Sequence, residues 1–207
     1  MTQEKPDQKS LIEQALDFAE VIKRVTELDF RSDGEFSQKN ALNSLIDGVP
    51  RAAIEALVQK ISDDIDTATK VQIPKEAKQA GDFRIQETPT QKIAELKKQL
   101  ELLQHLSDSK SKILQDSLSQ KTVEIYKGHF KMLEARAEWL IENPKGHALR
   151  NLANCIAHFK TQIKYYKNFL KKERIENTSH ETLVSELEAK VITLEPRVRR
   201  VLENHGY

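Results

Sequence analysis

Cys155 and His158 stand one helical turn apart, a spacing at which an imidazole can take a proton from a thiol and leave a nucleophilic thiolate. Cys155 also adjoins Ile156 in a run of regularly spaced apolar residues. A lone cysteine there behaves as a small buried hydrophobe, and that is the role expected of it. Glu101 and His105, four residues apart, come nearest to a metal-ligand pair, but the same spacing is that of a surface ion pair or hydrogen bond. The remaining histidines, His129, His147, His180 and His205, share no spacing with one another. The sequence has no Gly-rich phosphate loop, no H-E-x-x-H pair, no second cysteine to complete a zinc site and no inward-facing Glu-x-x-His. These residues predict no catalytic centre, no metal site and no cofactor, and hence a protein that is not an enzyme.

The pattern with most chemical content is a row of cations. Lys160, Lys164, Lys167 and Lys171, continued by Arg174, recur at helical spacing, with Tyr165 and Phe169 among them. Residues 145–174 carry eight basic side chains and one acidic, a net of +7. Such a patch suits an acidic protein, an anionic lipid headgroup or RNA. The competing reading is that the lysine stems cover a bundle seam while their ammonium groups meet acids of a neighbouring helix, with Glu181, Glu186 and Glu188 available for that.

The elements that would carry these residues are read from apolar periodicity. Leu149, Leu152, Ile156, Phe159, Ile163, Tyr166 and Leu170 alternate by three and four over three heptads and call for a partner along their whole length. Asn143-Pro144-Lys145-Gly146 is a turn signal, so the preceding stripe of Tyr126, Phe130, Leu133, Ala137 and Leu140 is expected to fold back as the antiparallel partner. Trp139 beside Leu140 is read as a core residue in preference to an exposed anchor. A last helix starts at the capping pattern of Thr178 and Glu181 and follows Leu183, Leu187, Val191, Leu194, Val198 and Val201, with a kink or a restart at Pro196. Upstream, Ile93, Leu96, Leu100 and Leu103 form a further stripe that weakens at Ser107–Ser111, where a kink or short turn is expected.

Nearer the amino terminus, Ser10 and Glu13 form a capping box ahead of the stripe Leu11, Ala15, Phe18, Ile22 and Val25. A shorter helix from Ser37 to about Asp47 is ended by Gly48, and Pro50 opens a third lined by Ile54, Leu57, Ile61, Ile65 and Ala68. Between 72 and 90 the periodicity fails around Pro74, Gly81 and Pro89. The expected organisation is all-α. It comprises a disordered lead (1–9), a small three-helix acidic module (10–71), a linker (72–90) and a long-helix hairpin or bundle with coiled-coil character (91–207).

Leu45 to Pro50, followed by Ile54 and Leu57, partly resembles a helix-turn-helix. Residues 1–70 nevertheless hold 14 acidic against 9 basic side chains, a net of −5, which a phosphate backbone would repel, so DNA is not the expected partner. Over all 207 residues, 33 Lys and Arg against 32 Asp and Glu leave no global field, and a single cysteine fits a reducing compartment. The opening residues do not read as a secretory or transit signal, and no apolar run reaches membrane-spanning length. The expectation is therefore a cytoplasmic protein that binds other proteins through amphipathic helix faces, as an adaptor, scaffold or complex subunit. A bacterial secretion adaptor or translocated effector is one alternative. Anionic lipid or nucleic-acid binding through Lys160–Arg174 is the other.

Overall fold

Apolar residues spaced by three and four, in a chain with only six Gly and six Pro, favour helix throughout. The computed structural model describes residues 7–27, 35–70, 88–175 and 178–207. Among them are seven helices and no strand, and 90% of the described residues are helical. The helices are α1 (Gln8–Glu27), α2 (Glu35–Asp47), α3 (Arg51–Thr69), α4 (Pro89–Leu106), α5 (Asp108–Glu142), α6 (His147–Lys172) and α7 (Thr178–Asn204). The all-α expectation holds. Most of the lead expected at 1–9 and of the linker expected at 72–90 lies outside the described residues.

Three local details refine the sequence reading. The first helix starts at Gln8 instead of Ser10, because Asp7 caps it: the Lys9 amide donates to its Oδ1 at 3.3 Å and the Leu11 amide to its backbone oxygen at 3.1 Å. The weakening at Ser107 is a true break of one residue between α4 and α5. Ser111 is fully buried there, and its hydroxyl donates to the Leu100 carbonyl at 3.0 Å, stapling the corner. At Pro196, α7 runs on without interruption. The ring lies on the exposed side, one turn beyond Ile192 at 70% exposure, so water can serve the Ile192 carbonyl that Pro196 leaves without its usual donor.

Two compact units emerge, neither continuous in sequence: the described parts of Met1–Ala68 with Ile93–Lys121, and those of Thr69–Lys92 with Thr122–Tyr207. In the first, α1 and α3 contribute Ala15, Ala19, Ile22, Leu57, Ile61 and Ile65, while α4 contributes Ile93, Leu100 and Leu103. Ion pairs tie the helices of this unit together, Lys23 of α1 to Glu101 of α4 at 3.3 Å and Lys121 of α5 to Asp66 of α3. Three short helices alone would bury little surface, and recruiting α4 and the start of α5 enlarges their core.

In the second unit the backbones approach most closely between α6 and α7. The helix before the Asn-Pro-Lys-Gly turn packs on α6 as expected, through an aromatic seam, and α7 packs on α6 as well. The seam between α5 and α6 is filled by rings, Tyr126 on Tyr166 at 4.1 Å between centroids and Phe130 on Phe159 at 5.6 Å. Leu183, Leu187, Val191, Leu194 and Val198 form the buried face of α7, which neighbours α6 along the chain's second unit.

Candidate functional site

The cation row is carried by α6, and the structure divides it. Lys160 pairs with Glu195 of α7 at 2.9 Å and Lys167 with Glu188 of α7 at 2.5 Å. The Lys160 ammonium holds the Glu195 carboxyl below its ordinary value, chiefly by their hydrogen bond. Lys164 and Lys171 have no ion pair among the described residues. Half of the row therefore spans the α6–α7 seam, and the other half has no ion pair among the described residues.

Two residues of Lys160–Arg174 behave differently from the rest. Phe169 is half-buried, its ring 5.5 Å from that of Tyr126, so it belongs to the aromatic seam. Arg174 follows the end of α6 in the left-handed region (φ 52°) and is exposed. Tyr165, 56% exposed, is the aromatic side chain that the row presents to solvent.

Lys160, Lys164 and Lys167 form one rim of an open groove of about 550 Å³ between α6 and α7. Ile163, Val191 and Ile192 supply its apolar surface, and Glu188 stands on the far side. Ile163 and Val191 are core residues seen edge-on, at 6% and 5% exposure. Ile192 is 70% exposed, so its burial is left undone by this chain. The groove thus combines an apolar floor with a lining of three lysines and one glutamate, a net of +2.

Cys155 and His158 lie together on α6. Burial pushes the Cys155 thiol up to about 11, opposed by the Arg136 charge, so it is a poor nucleophile at neutral pH. His158 is exposed on the next turn and is lowered, first by desolvation and then by Arg136. Glu101 is engaged with Lys23, and no group of three or more His, Cys, Asp or Glu side chains among the described residues can hold a metal ion. Trp139 is half-buried. No helix among the described residues is long and apolar enough to cross a membrane.

Two histidines that sequence spacing left unassigned are buried. His180, 3% exposed, shares a hydrogen bond between its Nδ1 and the Tyr166 hydroxyl, joining the start of α7 to α6. His129, 6% exposed, has an Nε2 with no hydrogen-bond partner, and desolvation lowers it to about 4, with the charge on His158 adding to the effect. Their positions in the stripes were the available signal: His180 precedes Leu183 by three, and His129 follows Tyr126 by three. Compared with protein-family models, curated proteins and solved structures, the chain matches none.

Proposed function

We propose that this chain is a non-enzymatic interaction protein that receives an acidic amphipathic helix of a partner protein in the α6–α7 groove. The observation that carries the reading is the exposed Ile192 and Lys164, an apolar residue and a cation without an ion pair among the described residues, which share one groove. A partner helix with apolar residues at i, i+3 and i+4 would cover Ile192, and flanking carboxylates would meet Lys164. Covering Ile192 contributes roughly 1–2 kcal/mol, and each exposed ion pair on the rim roughly 0–1 kcal/mol, so the apolar floor sets the affinity and the rim sets the choice of partner.

The experiment places a photoactivatable residue at position 192 of the full chain, captures cross-linked protein from nuclease-treated native lysate, and sequences the cross-linked segment. Expected is an amphipathic segment rich in Asp and Glu, lost from a K164E variant and retained, though weakened, at raised salt. A basic or non-helical segment, or cross-linking unchanged by K164E, overturns the assignment. Binding to anionic vesicles or RNA that collapses steeply with salt would transfer the row to a lipid or nucleic-acid role.

A further inference from the structure

On the other flank of α6, away from the lysine row, Leu133 and Arg136 of α5 meet Asn151, Asn154, Cys155 and His158 of α6 around a cavity of about 210 Å³. Its lining holds a guanidinium, an imidazole, two amides and a thiol, and no carboxylate. Arg136 is half-buried, whereas the other described arginines are exposed. It makes no ion pair with any described residue. Its helical neighbours three and four residues away, Met132, Leu133, Trp139 and Leu140, include no acid. The nearby acids of α5 are used elsewhere: Glu134 pairs with Lys190 and Glu138 accepts both guanidinium nitrogens of Arg197, all toward α7.

A guanidinium withdrawn from water without a counter-charge is a standing cost, and its planar fork of donors is shaped for an oxyanion. The surrounding groups fit the same ligand. Asn151 and Asn154 each offer an amide N–H pair and His158 a ring N–H, all donors to an anion, and Leu133 closes the inner side. Four donor side chains exceed what the two oxygens of a carboxylate need and suit the oxygens of a phosphate.

We propose that Arg136, Asn151, Asn154 and His158 form an oxyanion site for a phosphate group, presented free or as a monoester on a phosphorylated residue. The positive field of this corner supports the assignment. Desolvation first, and then the Arg136 charge, lower His158; desolvation first, and then His158 and Lys92, lower His129, with no acid among the influences on either ring. A bound phosphate reverses that field at His158 and favours its charged form.

The test follows the histidine ring resonances of the full chain by NMR while inorganic phosphate or a phosphoserine peptide replaces chloride at constant ionic strength. Expected is a saturable shift of the His158 ring and a rise in its pKa, with His205, exposed at the far end of α7, unmoved. R136Q should weaken the response roughly tenfold or more, in line with loss of a charge-assisted contact. N154L, which keeps every charge and removes one donor, should weaken it less, and it guards against an R136Q chain that does not fold. Tighter saturation by the peptide than by inorganic phosphate identifies a phosphorylated protein as the source, and equal saturation identifies a small phosphate. Shifts that never saturate, that His205 shares, or that persist undiminished in both variants overturn the site.

Discussion

His129 makes the second unit sensitive to mild acid, and the size of the effect follows from its burial. The ring is 6% exposed, packs edge-on against Phe130 at 5.7 Å, and leaves Nε2 without a partner. Its neighbours in charge are His158 and Lys92, both of which oppose a further proton, while a hydrogen bond with Gln162 opposes the shift only in part. The folded value of about 4 lies below the ordinary 6.5, so the unfolded chain binds the proton more readily. Stability from this group is fully present above pH 6.5 and is lost as pH falls from there toward 4. Linkage with these two values gives a loss of about 2 kcal/mol by pH 5 and about 3 kcal/mol by pH 4. Urea denaturation of wild type and H129L between pH 7.5 and 4.5 measures it. This window lies largely above carboxylate titration, and His158 and His180, also lowered, remain in both proteins. The variant curve should be flatter than wild type by about 2 kcal/mol at pH 5. Parallel curves would refute the reasoning, because they would mean that the buried ring finds water or a partner when it is charged.

Two further substitutions probe the stripes and their interruptions. S111A removes the hydroxyl that joins the start of α5 to the Leu100 carbonyl and should cost about 1 kcal/mol, read by urea denaturation and by faster amide exchange at the α4–α5 corner. P196A restores a backbone donor on the exposed side of α7 and should stabilise the chain by about 1–3 kcal/mol, seen as a higher urea midpoint with an unchanged slope.

Composition and period determined the helices. Six Gly and six Pro in 207 residues leave few breaks, and the stripes read from spacing, such as Leu149 to Tyr166 and Leu183 to Val198, are the buried faces observed. Periodicity reports which face of a helix avoids water, so it locates a core without naming what lies across it. The turn at Asn143–Gly146 supplied the antiparallel α5–α6 pair by connectivity, whereas no local signal showed that α7 would pack on α6 as well. The lysine row was legible as a charge pattern, but its division into paired Lys160 and Lys167 and unpaired Lys164 and Lys171 depends on where Glu188 and Glu195 fall on α7. Arg136 carried no signal at all, because its lack of a counter-charge arises from helices beyond its own. The sequence by itself therefore determined the helices and the apolar residues that line the long stripes of α6 and α7, though not the buried His129 and His180. Only the tertiary structure decided which charges meet across helices, since a side chain's electrostatic partner is set by distance in space and not by distance along the chain.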